Sequence, residues 1–285
     1  MCCDGRVNSD RPEELRTVAE RLAAEAAAFV RRRRAEVFGT AAAGQETSAV
    51  RVKSSPTDPV SIVDTETEQF LRDRLAQIRP GESILGEEQG GAEPGDEGAN
   101  PGALCWVVDP IDGTVNFLYG IPAYAVSVAV QRDGVSVAGA VADVAGGEIY
   151  SAAAGGGAHL LADGQRRPLR CSQVTELSHA LLATGFGYQS SRRAAQAALL
   201  AQMLPQVRDV RRIGAAALDL CMVAAGRLDA YYEHGLNVWD WAAGALIAAE
   251  AGAFVALPKA GGAEAGAVIV AAAPRVAAEL MSALD

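Results

Sequence analysis

The chain has 285 residues, half of them hydrophobic, which is ample for a packed core and excludes a wholly disordered protein. Lys and Arg total 25 against 35 Asp and Glu, giving a formal charge of −10, which argues against nucleic acid as a direct partner. Five scattered cysteines without a C-x-x-C pair fit a reducing cytoplasm better than a disulfide framework, so Cys105, Cys171 and Cys221 read as small core residues.

Residues 1–9 are expected to be disordered and to lack the apolar core of a signal peptide. Asp10-Arg11-Pro12-Glu13 then reads as a helix cap followed by a proline in the first turn. Leu15, Val18, Leu22, Ala26 and Phe29 form an apolar stripe, and Arg31 to Arg34 are expected to close the helix as a solvated terminus at its negative end. A loop over 39–49 leads through Lys53-Ser54-Ser55-Pro56 to a second helix with Thr67, Leu71, Leu75 and Ile78 on its buried face. Asp64 reads either as the cap of that helix or as part of a site.

Ser83 to Gly86 is a short strand that runs into Glu87-Glu88, an acidic pair usually solvated, and then a Gly- and acid-rich loop to Gly102. The stretch Cys105 to Phe117 carries the strongest signal. Leu104 to Val108 suit a strand buried on both faces, and Pro110 predicts that it ends at Asp109, leaving a carboxylate at the strand's carboxyl edge. Asp112 follows in the turn, and Gly113-Thr114-Val115-Asn116-Phe117 opens a short helix whose free amides favour an anion. Two acids beside an anion cradle imply a cation between them, although Asp-Gly is also a common turn.

Tyr124 to Val130 and Val135 to Val141 read as a hairpin about Asp133-Gly134, followed by strands at Glu148 to Ala152, Ala158 to Leu161 and Leu169 to Cys171. From Leu181 the pattern alternates: strands at Leu181 to Thr184, Val210 to Ile213 and Leu228 to Tyr232, with helices at Ala194 to Leu204 and Ala215 to Ala225. Tyr231-Tyr232-Glu233-His234 leads to Asp240 at the start of an Ala-rich helix, where capping is an equally credible role. Ala242, Ala243 and Gly244 allow close packing there; Val255 and Ala267 to Ala271 supply late strands, and Pro274 to Leu284 the last helix. The apolar stretch Trp241 to Pro258 is too short and too broken to span a bilayer. The expected organisation is one domain over 10–285, with an antiparallel sheet to about residue 175 and an α/β half from about 180.

Carboxylate and carbonyl oxygens suit Mg²⁺, and two such ions about 3.5–4 Å apart can activate water and stabilise a leaving oxygen. Asp109, flanked by Glu87 and Asp112, is the natural bridge. Other phosphatase chemistries lack their parts: there is no Asp-x-Asp-x-Thr nucleophile, no Cys in a Gly-rich loop ending in Arg, and no Arg-His-Gly. His159, His179 and His234 have no metal-ligand spacing.

Together Lys53-Ser54-Ser55-Pro56, Gly86-Glu87-Glu88, Asp109-Pro110-Ile111-Asp112-Gly113-Thr114, Arg212-Ile213-Gly214 and Trp239-Asp240-Trp241-Ala242-Ala243-Gly244 make the chain resemble the Mg²⁺-dependent inositol monophosphatases, most closely their bacterial SuhB-like branch. The resemblance implies a layered αβαβα sugar-phosphatase fold of the α/β class, a homodimer, inhibition by Li⁺ and two or three Mg²⁺ ions. Carried over by position, it implies that Glu87, Asp109 and the Ile111 carbonyl hold one ion and Asp109, Asp112 and Asp240 a second, with a weaker third leaning on Glu87. Thr114 with Asp64 would deprotonate the attacking water alongside the catalytic Glu87. Asp112, Gly113, Thr114, Ala216, Glu233 and Asp240 would meet the substrate, a small phosphorylated polyol such as myo-inositol 1-phosphate. Fructose 1,6-bisphosphate, histidinol phosphate and 3′-phosphoadenosine 5′-phosphate are alternatives, and a protein-binding module of the transcription machinery is an alternative of another class. Ala215 and Val115 depart from the family's frequent hydroxyl residues, and His234 is expected to be a surface or packed histidine.

Overall fold

The computed structural model describes residues 10–39, 50–53, 59–91, 101–258 and 267–284. The expected N-terminal tail, Ser54 to Pro56 and most of the Gly- and acid-rich loop lie outside these residues.

Helix α1 (Pro12–Phe38) begins with proline at a position whose missing N–H leaves no bond unmade. Asp10 is not its cap; the cap position is Arg11, and Asp10 pairs with Arg79 instead. The helix continues past the arginine run that was expected to close it. Arg31 donates to the Val144 carbonyl (3.0 Å), Arg33 pairs with Glu66 (2.8 Å) and Arg34 donates to the Phe117 carbonyl (3.0 Å). The run therefore ties α1 to its neighbours and is not a solvated terminus.

Strands β1 (Val50–Val52) and β2 (Pro59–Ser61) pair antiparallel and lead into α2 (Ile62–Ile78). Ser61 is the cap of α2 and Asp64 its reciprocal partner three residues on, so Asp64 belongs to a capping box without being the cap itself. The main sheet then forms from β3 (Ser83–Gly86), β4 (Leu104–Asp112), β5 (Ala125–Arg132), β6 (Val135–Asp143), β7 (Ile149–Ala153), β8 (Gly157–Ala162) and β9 (Gln165–Pro168), in that spatial order. β3 is parallel to β4 and the remaining pairs are antiparallel. Asp133 and Gly134 (φ 51° and 77°) and Asp163 and Gly164 (φ 51° and 71°) both take left-handed backbone, as tight hairpins with right-twisted arms require.

Two strand expectations need correction. β4 does not end at Asp109 but runs on through Pro110 to Asp112, with its register against β5 slipping between Asp109 and Asp112. A bulge has no ladder bond for proline to forfeit, which is why it is tolerated there. Leu169 to Cys171 is not a strand; the Asp163-Gly164 turn pairs Gln165 to Pro168 with β8 directly, and the arginine-rich β9 is exposed.

After short α3 (Thr114–Tyr119), the C-terminal part contributes β10 (Leu181–Thr184), α4 (Ser190–Met203), β11 (Asp209–Arg211), α5 (Ala216–Ala224), β12 (Ala230–His234), α6 (Val238–Glu250), β13 (Phe254–Ala256), β14 (Val268–Ala272) and α7 (Ala277–Leu284). Its five-stranded sheet has the order β11-β10-β12-β14-β13. Strand alternation sorts the core into layers. Trp106, Val108 and Val128 pack with Leu22 of α1 and Leu71 of α2. Val107, Ala129 and Val141 face the other way, onto Leu220 of α5 and Ile247 of α6, which are also covered by Ala183 and Tyr231 of the second sheet. Leu182, Tyr232 and Val270 on that sheet's outer face meet Met203 and Leu280. The result is an αβαβα stack. Cys105, Cys171 and Cys221 are buried free thiols within it, and no helix of the described residues is long and apolar enough to cross a membrane.

An ion pair between a buried acid and an exposed arginine fastens α1 to the far edge of the main sheet. Arg166 of β9 donates to both oxygens of Glu20 (2.8 and 2.6 Å), and Ser151 adds a third bond (2.6 Å). Burial alone would raise the Glu20 pKa, but Arg166 and Ser151 outweigh it and hold the carboxyl below its usual value of 4.5. Glu20→Gln is expected to lower unfolding free energy by about 1 kcal/mol at neutral pH, since the Arg166 guanidinium it releases is exposed to water. A depressed folded-state pKa stabilises above the unfolded value and loses its contribution as pH falls. Denaturant melts should therefore show the wild-type advantage shrinking as pH drops below about 4.5; a constant gap would refute the assignment.

Candidate active site

A cavity of about 170 Å³ opens where the carboxyl ends of β3 and β4 meet the amino ends of α5 and α6. Glu87, Asp109, Ile111, Asp112, Gly113 and Thr114 line it from one side, Ala216, Glu233 and Asp240 from the other. Asp64 lies immediately behind, within bonding distance of Thr114. Residues far apart in sequence are thus brought to one place.

Each carboxylate is held by its local backbone. Asp109 sits at the bulge and accepts from the Ile111 amide (2.9 Å). Asp112 accepts from the Ala216 and Ala217 amides (3.1 and 2.7 Å), the free N–H groups that open α5, so it connects the main sheet to the middle helix layer. Asp240 accepts from the Asn237 amide (2.6 Å) in a capping box at the start of α6. Asp64, with no exposed surface, accepts from the Ser61 amide (3.0 Å) and keeps its other oxygen 3.1 Å from Thr114 Oγ1, which also lies 3.0 Å from the Ile111 carbonyl. Asp64 and Asp240 thus each serve the start of their own helix, and each also lies at the cavity, Asp240 in its lining and Asp64 bonded to Thr114 behind it.

Gly113 has a left-handed backbone (φ 91°), and a Cβ there would press to 3.0 Å from the Gly214 and Ala123 carbonyls. Only glycine lets the chain turn from β4 into α3 so close to α5. Ala215 abuts Gly113 and carries no hydroxyl toward the cavity. Glu233 accepts from Tyr231 Oη (2.7 Å) and is seated against Gly185, where any side chain would collide with its carboxylate.

Charge is concentrated here beyond what burial tolerates. Burial, then Glu87, Asp112 and Asp240, push Asp109 well above the usual carboxylate range. Burial, then Glu87 and Asp112, do the same to Asp240. Burial raises Asp112 to about 7 in spite of the α5 amides, and Asp64 to about 6 in spite of Ser61. The neighbouring pair is not solvated as expected: Lys53 Nζ bonds Glu87 (2.7 Å) and Glu88 (2.5 Å). Burial still lifts Glu88 to about 7, while the two acids outweigh burial and hold the Lys53 ammonium above its usual range.

The donor set fits a hard divalent cation: buried, mutually repelling carboxylates and a backbone carbonyl, without sulfur ligands. As they stand, no three acidic, His or Cys side chains among the described residues close into a finished cage. Their oxygens are instead engaged by backbone amides, and Glu87 by Lys53. The shared cavity and mutual repulsion weigh more than that incomplete closure, because carboxylates rotate onto an ion whereas their backbones are already in place.

Several residues at the site were given no role from the sequence, although Arg212 belongs to a motif that carries the family resemblance. Arg192, Arg212, Tyr188 and the Gly185-Phe186-Gly187 loop line the outer cavity. The glycine spacing after β10 was the available clue. His234, expected at the surface or packed, lines the cavity, and its buried Nδ1 has no hydrogen-bond partner among the described residues.

The inositol monophosphatase family model matches residues 11–285. The chain belongs to the inositol monophosphatase family. The inositol-1-monophosphatase SuhB of Mycobacterium tuberculosis is 67% identical over 279 residues, spanning 97% of this chain and 95% of the relative. The solved structure of Mycobacterium tuberculosis SuhB superposes with a TM-score of 0.81 at 59% identity, over 97% of both chains. The Nus factor SuhB of Pasteurella multocida is 36% identical over 230 residues, 80% of this chain and 83% of that protein. As a SuhB-like inositol monophosphatase family member the chain is a phosphoric monoester hydrolase, and the family is metal-dependent.

Proposed function

We propose that this enzyme hydrolyses a small phosphorylated polyol, myo-inositol 1-phosphate foremost, with Mg²⁺ as its cofactor. The observation that carries the reading is the meeting of Glu87, Asp109, Asp112 and Asp240 in one cavity that also holds Gly113 and Thr114, with Asp64 bonded to Thr114 from behind. Glu87, Asp109 and the Ile111 carbonyl would hold one ion, Asp109, Asp112 and Asp240 another, with a third leaning on Glu87. Bound divalent ions at such a set polarise the phosphate, ready a water at neutral pH and neutralise the leaving oxygen.

The chain's own groups do the rest. Gly113 and Thr114 present backbone amides to the phosphate at the turn into α3. Thr114 Oγ1 takes a proton from the attacking water as its own passes to Asp64, 3.1 Å away. Burial raises Asp64 to about 6, close enough to neutral for it to accept that proton and return it. Glu233 and Ala216 are placed to meet the alcohol that departs. Water attacks in line, with no phosphoenzyme.

The family resemblance supports the companion features of a homodimer and Li⁺ inhibition, and the scattered cysteines support a cytoplasmic setting for a single domain over 10–285. The net charge of −10 supports the absence of direct nucleic-acid contact. The test is phosphate release from myo-inositol 1-phosphate, fructose 1,6-bisphosphate, histidinol phosphate and 3′-phosphoadenosine 5′-phosphate, each with Mg²⁺ and with or without Li⁺. Fastest Li⁺-sensitive turnover of the inositol ester is expected; preference for another ester would reassign the substrate. The name of the Pasteurella multocida relative favours a second reading, as a protein-binding module of the transcription machinery. Inactivity across the panel together with capture of a transcription component would put that reading first.

Titration gives a separate check. Acids whose folded-state pKa is raised stabilise the fold below their unfolded pKa, and that contribution is lost as pH rises through the folded value. With Asp112 near 7 and Asp109 and Asp240 also raised well above the usual carboxylate range, the metal-free protein should weaken as pH rises from about 4 through about 7. Mg²⁺ at a hundred times its Kd should restore about 2.7 kcal/mol. Thermal melts should show a larger Mg²⁺-induced rise in Tm at pH 8 than at pH 5, and equal rises would count against the carboxylates as ligands.

A further inference from the structure

The turn that carries Glu87 is built around an acid that never reaches the cavity. Glu68, on α2, has no exposed surface. One of its carboxylate oxygens accepts from the Glu88 amide (2.7 Å), the other from the Gln89 amide (3.0 Å). Arg72, one turn along the same helix, donates to Glu68 through Nε (3.0 Å) and Nη2 (2.8 Å), and Nη2 also reaches the Gly90 carbonyl (2.6 Å). Gly86 and Gly90 exchange both backbone bonds (3.1 and 3.0 Å), closing the turn over Glu87, Glu88 and Gln89. Gly86 lies directly on the carboxylate, and a Cβ there would collide with it.

We propose that Glu68, fixed by Arg72, is a positioning residue for Glu87: its buried carboxylate gathers the turn's amides and thereby sets where the Glu87 side chain stands for the divalent ion. Without that anchor two turn amides and the Arg72 guanidinium lose their shared acceptor, and of the backbone's own bonds the Gly86–Gly90 pair is left to shape the turn, helped by Arg72 at the Gly90 carbonyl and by the Lys53 and Gln69 side-chain contacts. A carboxylate suits the task because it offers separate oxygens to separate amides and has lone pairs left for the guanidinium. Because Arg72 pairs with it, the anchor adds little net charge beside an already acidic cavity. The role is indirect, so its signature is ion affinity and not the chemical step.

This inference rests on reading Glu87 as a cation ligand. The test is calorimetric titration of Mg²⁺ into full-length wild type, Glu68→Gln and Arg72→Gln, alongside kcat for myo-inositol 1-phosphate at saturating Mg²⁺ and thermal melts. Glu68→Gln keeps the side chain's length but presents an amide group to one turn N–H, so the Mg²⁺ Kd is expected to rise about tenfold while kcat at saturation stays within about threefold. Arg72→Gln should shift Kd in the same direction by less. A lowered Tm with an unchanged Kd in Glu68→Gln would show a purely structural acid and overturn the proposal. Should Glu68→Gln not fold, an unchanged Kd in Arg72→Gln would overturn it and a raised one support it. Wild type that takes up no Mg²⁺ would overturn the ligand reading of Glu87 itself, and this proposal with it.

Discussion

Replacing Asp109 with asparagine is expected to lower phosphate release in Mg²⁺ by at least about 1,000-fold, the loss of roughly 4 kcal/mol of transition-state stabilisation. Asp109 stands at the β4 bulge where repulsion from Glu87, Asp112 and Asp240 converges on it. Among the described residues it is the side chain assigned to both proposed ion positions. Asparagine keeps the shape and an oxygen for the Ile111 amide, so the bulge should persist. Because one buried acid is then absent from a group that repels itself, the metal-free variant should melt at or above the wild-type temperature. It should also lose the Mg²⁺-induced rise. Activity lost together with Mg²⁺ stabilisation, in a protein that is not destabilised, separates a bridging ligand from a fold defect. Substantial turnover in Asp109→Asn would remove the bridging role.

Thr114→Val should reduce kcat by roughly 10²- to 10⁴-fold, the range of a positioned proton-transfer group, with little change in KM. The substitution preserves the β-branch and the backbone amide that opens α3, so phosphate should still bind. Only the hydroxyl between the cavity and Asp64 is removed. Asp64→Asn is expected to fall in the same range, and the double variant to be little worse than either single one, as groups acting in one relay are not additive. Thr114→Ser, which keeps the hydroxyl, should recover most of the rate. A Thr114→Val enzyme with unaltered kcat would refute the relay, and additive losses would separate the two residues.

Much of the candidate site was legible because its chemistry is local in sequence: Asp109 to Thr114 announces an acid-rich strand end followed by an amide-rich turn, whatever surrounds it. The hairpin at Asp133-Gly134 was legible for the same reason, as backbone chirality there is a property of those residues. Asp64 and Asp240 were ambiguous between capping and the site because a carboxylate has two oxygens, and each of these acids serves its own helix start.

The misreadings have a common cause in partners that lie far away. The arginine run looked like a solvated end because Val144, Glu66 and Phe117, which its members reach, are distant along the chain. Pro110 looked like a strand terminator because a bulge is defined by the opposing strand. Glu68 gave no signal at all: one more acid on a helix with a modest apolar stripe, its burial follows only from the turn that folds over it.

Asp112 on the main sheet and the opening amides of α5 join groups encoded on either side of the segment between β9 and β10. A gene cut within that segment would place Asp64, Glu87, Asp109, Asp112 and Thr114 on one product, and Ala216, Glu233 and Asp240 on the other. Neither product would inherit a working centre, so any activity from co-expressed fragments would report their reassembly.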